Sequence, residues 1–528
     1  MTGRLQSSGI AAPGFLGLNS QDSEVTLESG YATSAVNCII DRYGRLGSRR
    51  GWEVITTDNG TLANTEEITS IFEFKNVDGS ITYLSGGGGK LFEGSTTLVE
   101  KKVRNATDTA DVALATTADN WQGASLTNGT GMGAAAEGFL AQNGNPLLKY
   151  SEPAADFIFQ RVGDVGAVPT GTTVDSFDPN CILSAYGRLW AAAISQNKTT
   201  VWYSQLLNGD TFTGAGSGVL DVGAVVGDND EIVALGSHNG FLIIFLRNNI
   251  VVYDNADDPT NITLSDVVTG VGCIARDTVQ RTGTDIIFLS KGGVRSLTRT
   301  IQEKSMPMRE LSINIRDILV RDAQNEVLST IKSAYFERDA LYLLSLPSTN
   351  QIYCFDMRSQ LPNGAARPTT WNLSFPAFCA TESRELYFGV AGGIAQYRGY
   401  QDNGQNYRMS YFTSNTDLGQ PTTLKLLKKA LVTIIGNETQ DFVVKYGFDY
   451  NTLFSSRVYF GGTSNPVYEY NIAEYGIGEY SGGLAIATVN VNLGGSGKVI
   501  KFGIETEVNG APVSIQKAEI FVKIGKTL

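Results

Sequence analysis

One stretch decides the fold: Phe241-Leu242-Ile243-Ile244-Phe245-Leu246, then the polar turn Arg247-Asn248-Asn249, then Ile250-Val251-Val252-Tyr253. A strand wet on one side alternates apolar and polar residues, and a core helix needs a longer, 3.6-periodic pattern. Two short arms that are apolar on both faces, joined by a tight turn, form a hairpin that must be covered on both sides. A propeller blade meets that demand, because a neighbouring blade packs against each of its faces.

The same unit recurs along the chain. Upstream stand Ile81-Thr82-Tyr83-Leu84 with Lys90-Leu91-Phe92, Gly138-Phe139-Leu140-Ala141 with Pro146-Leu147-Leu148-Lys149-Tyr150, and Arg188-Leu189-Trp190-Ala191-Ala192 with Val201-Trp202-Tyr203-Ser204. Downstream stand Ile286-Ile287-Phe288-Leu289 with Val294-Arg295-Ser296-Leu297, Leu341-Tyr342-Leu343-Leu344 with Gln351-Ile352-Tyr353-Cys354-Phe355, and Leu386-Tyr387-Phe388 with Gly393-Ile394-Ala395-Gln396-Tyr397. The later hairpins begin near residues 188, 241, 286, 341 and 386, at intervals of 45 to 55 residues. That matches the roughly 40 to 50 residues of a four-stranded blade. The reading is all-β: a β-propeller of six or seven blades over residues 61–408, with residues 1–60 as an N-terminal docking segment and lead-in to the first blade. A sandwich or a solenoid is the alternative arrangement of such hairpins. Residues 95–136, rich in Ala, Thr, Gly and Asn, interrupt the rhythm and read as an insertion between early blades. One amphipathic helix is expected after Leu311, capped by Ser312, with Ile315, Ile318 and Leu319 on one face.

From about residue 409 the pattern tightens to period two. Phe442, Val444, Tyr446 and Phe448 alternate with Val443, Lys445, Gly447 and Asp449, and Ile500, Phe502 and Ile504 alternate with Lys501, Gly503 and Glu505. Such strands bury one face and wet the other. Asn509-Gly510 signals a tight hairpin with a return strand over residues 513–524. Residues 409–528 therefore read as a separate C-terminal β-sandwich of jelly-roll type.

The composition narrows the function. The 528 residues suffice for two to four domains. With 41 Lys and Arg against 53 Asp and Glu the net charge is −12, which opposes a general phosphate-gripping clamp. No apolar run approaches the roughly 18 to 20 residues of a membrane span, and the first residues lack the charged and apolar regions of an export signal. A soluble chain is expected. Five cysteines, at positions 38, 181, 273, 354 and 379, stand far apart with no C-x-x-C pair, so buried free thiols are expected, not a disulfide framework or a structural zinc. The single histidine, His238, lies in the turn-like Gly236-Ser237-His238-Asn239-Gly240 and reads as a surface residue. One imidazole leaves little for metal sites or nucleophile–base pairs.

The motif-like stretches fall short of their chemistry. Ser85-Gly86-Gly87-Gly88-Gly89-Lys90-Leu91 resembles a phosphate loop, but Leu91 stands where Ser or Thr would hold magnesium and Leu84 where the first glycine belongs. A hairpin turn is expected there. Ser217 and Ser496 fail G-x-S-x-G because Ala215 and Lys498 occupy glycine positions. Asp228-Asn229-Asp230-Glu231 and Asp254-Asn255-Ala256-Asp257-Asp258 lack the sixth-position glycine of a calcium loop and read as solvated loops. No catalytic residue, cofactor or metal is expected.

The N-terminal region carries Ala12-Pro13-Gly14-Phe15-Leu16-Gly17-Leu18-Asn19-Ser20, Leu27-Glu28-Ser29-Gly30-Tyr31-Ala32, Val36-Asn37-Cys38, Asp41-Arg42-Tyr43-Gly44-Arg45-Leu46 and Arg49-Arg50-Gly51-Trp52. In this order the segments resemble the opening of tail nozzle proteins (tail hub, tail tubular B-like) of short-tailed bacteriophages. Tyr186-Gly187-Arg188-Leu189-Trp190, residues 240–253, Val271-Gly272-Cys273-Ile274-Ala275, and Phe412-Thr413-Ser414 with Asp417-Leu418-Gly419 and Lys425 continue the resemblance over nearly the whole chain. In this opening a short helix over residues 31–37 is expected to bury Ala32, Ala35 and Val36. The resemblance implies a virion tail protein, assembled in the host bacterial cytoplasm, in a homo-hexameric ring below the portal and tail adaptor. It implies a bore that retains packaged double-stranded DNA and conducts it at ejection without sequence-specific binding, an outer surface that anchors fibres or spikes, and no catalytic residues. Phe15, Leu16, Asn19, Asn37, Arg49, Arg50, Gly51 and Trp52 are its candidate docking residues. An acidic bore would repel phosphates and let a duplex slide, although the same charge also keeps a soluble protein soluble. The rival reading is a glycan-binding or glycan-cleaving propeller with a lectin-like sandwich, using Trp190, Trp202 or Trp371 to stack on sugars; a third is a surface adhesin.

Overall fold

A computed structural model of the chain describes all residues except 1–4, 12–14, 42, 115–118, 130–134, 153–155, 228–229, 298–309, 437–440, 452–453, 460–466, 469–484 and 528. Among the described residues the fold is all-β with a propeller. Six blades carry four or five strands each. The first runs from Ile68–Lys75 to Val99–Lys101, the second from Gln122–Asn128 to Ile158–Arg161, the third from Cys181–Ala185 to Gly218–Asp221 and the fourth from Ile232–His238 to Thr263–Thr269. A narrower three-stranded sheet, from Gln280–Arg281 to Gly293–Ser296, follows. The fifth blade runs from Lys332–Phe336 to Arg367–Trp371, and the sixth from Ala377–Ala380 through Gly393–Tyr397. The first strands of successive sheets, with the 3-10 turn Arg276–Thr278 joining the fourth blade to the narrow sheet, touch in a closed ring, the sixth blade returning to the first.

The dry-hairpin reading holds in detail. Leu242 to Leu246 are all buried, and Ile243 pairs with Val252 while Ile244 pairs with Val251. Alternate residues feed two different cores: Leu242, Ile244 and Leu246 face the third blade, and Ile243 and Phe245 face Ile286 and Phe288 of the three-stranded sheet. Gly88-Gly89 is the expected hairpin turn, with Gly87 paired to Lys90.

The ring closes through a distant segment. Trp52–Val54, within the expected lead-in, supplies the outer strand of the sixth blade, Ala395 pairing with Val54 and Tyr397 with Trp52. The expected insertion carries blade strands: Val99–Lys101 completes the first blade and Gln122–Asn128 opens the second. Its residues 115–118 and 130–134 lie outside the described residues.

Two further sheets share one apolar core. One is built on the long strands Thr423–Gly436 and Val513–Thr527, joined by Leu46–Ser48 and Cys38–Ile40; the other continues the fifth blade through Tyr31–Val36 into Tyr407–Thr413, Ile500–Val508 and Phe442–Phe448. Phe442, Val444, Tyr446, Phe502 and Ile504 face Leu427, Val432, Ile515 and Ile520 in one cluster, as the period-two pattern predicts. The boundary expected near residue 409 does not separate closed units, since the fifth blade and this body share a sheet and residues 5–48 contribute strands.

Three local expectations are corrected. Residues 31–37 are not helical: Tyr31–Val36 is a strand, antiparallel to Tyr407–Thr413 and parallel to the fifth blade at Val36 and Thr370. Pairing on both edges satisfies backbone groups that a two-turn helix would leave open. Ala32 and Ala35 are fully buried, and Val36 is half-buried. Asn509-Gly510 does not fold a hairpin, because Ile500–Val508 and Val513–Thr527 lie in different sheets. Both strands have an apolar face to bury, and crossing from sheet to sheet lets the two faces meet across a core. Ser312 does not cap the helix Arg316–Gln324; its hydroxyl accepts the Val294 N–H at 3.0 Å, while Ile315 and Leu319 are buried as expected.

Candidate functional site

Of the candidate residues in the N-terminal segment, Asn37, Arg49, Arg50, Gly51 and Trp52 meet at the seam between the propeller and the two-sheet body. Arg49 follows the strand Leu46–Ser48 of the body and precedes Trp52–Val54 of the sixth blade. Its side chain is only 1% exposed. Two guanidinium nitrogens donate to the two carboxylate oxygens of Asp402, at 2.7 and 2.6 Å, Nε donates to Asn37 Oδ1 at 3.0 Å, and Nη1 also reaches the Arg50 carbonyl at 2.9 Å. The guanidinium lies 4.1 Å from the Tyr407 ring centre and 5.8 Å from that of Trp371. A buried cation needs this complement of acceptors, aromatic faces and a bidentate carboxylate.

The neighbours complete the lock. Asn37, fully buried, has φ +56° and passes Nδ2–H to the Arg408 carbonyl at 2.8 Å while its Oδ1 also accepts the Asn372 N–H. The Tyr407 hydroxyl donates to the Arg49 carbonyl, and the Arg50 N–H donates to the Tyr397 hydroxyl at 3.0 Å. Gly51 N–H donates to the Gly399 carbonyl, and a Cβ on Gly51 would lie 1.8 Å from the Gln401 carbonyl oxygen. Trp52 packs edge-on against Phe375 at 5.7 Å. Phe15, 2% exposed, packs edge-on against Tyr411 at 5.0 Å, Leu16 is half-buried, and Asn19 is buried, bonded to Asp22. Pro13, Gly14 and Arg42 lie outside the described residues. The motif is thus largely interior and fastens the chain to itself.

A second charged cluster, which sequence reasoning missed, sits where the first strands of the blades meet. Arg276 and Asp277 open the turn before the three-stranded sheet, and Lys332 begins the fifth blade. Arg276 Nε donates to Asp277 at 2.7 Å, Nη1 to the Asn180 carbonyl at 2.7 Å, and Nη2 to the carbonyl and side chain of Asn120 at 2.9 and 3.0 Å. Lys332 Nζ donates to Asp277 at 2.5 Å and to Asn120 Oδ1. One cluster therefore ties the second, third and fifth blades to the narrow sheet. Burial alone would raise the Asp277 carboxyl, but Arg276 and Lys332 outweigh it and hold the group well below its usual range. Burial lowers Lys332 despite the carboxylate beside it. The only sequence signal was a charged pair directly after the apolar Cys273-Ile274-Ala275.

Trp190, Trp202 and Trp371 are 0%, 9% and 1% exposed. His238 ends a strand and is half-buried. Asp230 accepts from Asn248 and Asn249, while Asp228 and Asn229 lie outside the described residues. Asp258 caps a short 3-10 turn by accepting from Thr260 N–H. All five cysteines are buried and unpaired, and burial pushes Cys181 and Cys379 up to about 12. Among the described residues no three His, Cys, Asp or Glu side chains gather as a metal would require, and no helix is long and apolar enough to cross a membrane.

No protein-family model matches the chain, and no curated protein matches it. Solved propellers resemble it weakly. PorZ, a bacterial surface component of the type-IX secretion system of Porphyromonas gingivalis, aligns over 68% of this chain at 12% identity and a TM-score of 0.36, and the alignment spans 43% of that chain, less than half its length. The Pan2 WD40 domain of Neurospora crassa aligns over 66% of this chain and 95% of its own at 6% identity and 0.36, and the Cps50 (Swd1) propeller domain of Myceliophteria thermophila over 63% and 98% at 9% and 0.35. At these scores the likeness carries no argument about function.

Proposed function

We propose that the chain is a structural virion protein, a subunit of the homo-hexameric nozzle or hub ring of a short bacteriophage tail. In this reading the ring sits below the portal and adaptor, retains packaged double-stranded DNA, conducts it at ejection and anchors fibres or spikes outside. It assembles in the host cytoplasm and acts as a building block, not as an enzyme. The observation that carries the reading is the seam: Asn37, Arg49, Gly51 and Trp52, which bear the ordered resemblance, lock the propeller to the two-sheet body. A load-bearing ring needs subunits that do not hinge, and a buried bidentate ion pair across a shared sheet supplies that stiffness. A net charge of −12 per copy fits a bore past which DNA slides. The glycan reading has no such observation, because the tryptophans it needs are buried.

Negative-stain imaging of the purified chain, alone and mixed with a cognate portal and adaptor, tests the proposal. Six-fold rings that dock on the adaptor are expected. A chain that stays monomeric in that mixture and binds an immobilised polysaccharide would overturn it.

A further inference from the structure

Asn120, Asp277 and Lys332 bring an amide, a carboxylate and an amine to one point. Asn120 lies just ahead of Gln122–Asn128, the first strand of the second blade, and Lys332 opens Lys332–Phe336, that of the fifth. The two are 212 positions apart in the chain, yet Lys332 Nζ touches Asn120 Oδ1. That contact leaves Nζ at most one carbonyl bond, about 1.23 Å, farther from the Asn120 amide carbon. The same oxygen accepts from Arg276 Nη2 at 3.0 Å, and that nitrogen also donates to the Asn120 main-chain carbonyl at 2.9 Å. Asp277 Oδ2 lies 2.5 Å from Lys332 Nζ, and the Asp277 main-chain carbonyl accepts from Ser333 Oγ at 2.8 Å, which fixes the carboxylate beside the amine. Lys332 is buried and Asn120 half-buried.

Each group has a part in amide transfer. A lysine amine becomes a nucleophile when it is desolvated or stands beside another cation, and burial first, then Arg276, lowers Lys332 against the pull of Asp277. An amide carbonyl becomes an electrophile when a donor already waits at the oxygen that will carry negative charge, the place Arg276 Nη2 holds. A carboxylate within hydrogen-bond reach of the amine carries protons, and Asp277 is kept ionised for it by the two cations.

We propose that Lys332 and Asn120 join in an intramolecular isopeptide bond, with Asp277 as the proton carrier and Arg276 as the partner of the developing oxyanion. Nζ attacks Asn120 Cγ, the Nζ–Cγ bond forms, and the Cγ–Nδ2 bond breaks. Of the three ammonium protons one stays on the new amide and two pass by way of Asp277 to the departing nitrogen. Ammonium leaves, Asp277 ends as the carboxylate it began as, and no oxidant, reductant or cofactor enters. A cavity of about 190 Å³, lined in part by Asp277 and Lys332, gives the product room to depart. The exchange replaces two buried cations on one carboxylate with a single pair, Arg276 and Asp277. It also ties the second blade to the fifth covalently, and a closed loop of that kind constrains the unfolded chain as a disulfide does. A step made once per chain needs no rapid turnover.

The test is the intact mass of the purified, folded full chain, followed by peptide mapping. The expected mass lies below that of the sequence by one ammonia, and a branched peptide links residue 120 to residue 332. Asn-Gly steps such as Asn509-Gly510 can also lose ammonia, by closing on their own backbone. Lys332→Arg separates the two routes, since it keeps the charge and removes the amine: the branched peptide and its mass deficit should vanish. Asn120→Ala removes the electrophile at a half-buried position and serves if Lys332→Arg does not fold. Because all five cysteines are free, a wild-type chain nicked by protease between the two linked residues should still run as one band in a denaturing gel, whereas the same nick should split either variant. Asn120 and Lys332 recovered in separate peptides from the wild-type chain, or a mass deficit unchanged in whichever variant folds, would overturn the proposal.

Discussion

The seam and the cluster where the first strands of the blades meet both bury arginine, and they resolve the problem differently. At the seam, Arg49 meets one carboxylate in bidentate geometry, two aromatic faces and carbonyl acceptors. Where the first strands of the blades meet, Arg276 and Lys332 share Asp277 beside a cavity of about 190 Å³. A cation matched charge for charge by one bidentate carboxylate is a fastener. Where two cations share one carboxylate, the backbone and amide oxygens of Asn120 and Asn180 complete the set instead, and the cluster ties several blades together at once.

Substitutions break the comparison at different strengths. Gly51→Ala is expected to do most damage, about 4 kcal/mol or more, because its methyl meets the Gln401 carbonyl backbone, which cannot rotate away; urea unfolding measures it. Arg49→Met should cost about 3 kcal/mol by leaving Asp402 and Asn37 without their donor, and limited proteolysis should then separate propeller from two-sheet body. Equal resistance of wild type and variant would mean that the seam is not the fastener.

At the Arg276–Asp277–Lys332 cluster the effect is smaller and depends on pH. Asp277 ionises more readily in the folded chain than in the unfolded one, so its contribution is present above the ordinary carboxylate pKa of 3.8 and is lost as pH falls through the lower folded value. Asp277→Asn should cost about 2 kcal/mol at neutral pH, since the amide still accepts one hydrogen bond, and should flatten the acid limb of a stability–pH profile below about pH 4. A limb as steep as that of wild type would remove Asp277 from the balance. Smallest is Gly510→Ala: φ is +72°, yet nothing lies within 4 Å of the added methyl, so only backbone strain of about 1 kcal/mol is expected, read as a modest fall in Tm.

How much was legible follows from what each pattern encodes. Residues 241–253 revealed a blade because burial on both faces leaves its mark in every residue of a short run. The period-two runs around Phe442 and Phe502 likewise revealed which faces are buried. Partner choice left no such mark. Asn509-Gly510 looks the same whether the chain turns within a sheet or crosses between two, and Ala32, Ala35 and Val36 are compatible with either a helix face or a strand between two partners. Arg49, Arg50 and Gly51 stood out as a motif, but only the fold shows that they point inward. Arg276 and Lys332 are 56 positions apart, and no local pattern joins them.

Ring closure by Trp52–Val54 also bears on how the molecule is made. These residues emerge from the ribosome early and wait for Gly393–Tyr397, more than three hundred residues later, before their edge is covered. A pairing so distant along the chain is slow to form. Until then the last sheet keeps a naked border, open to the same strand of another nascent copy. Assembly of the disc is therefore a race between self-completion and exchange with a neighbour, and a lower concentration of nascent chains favours the copy that completes itself.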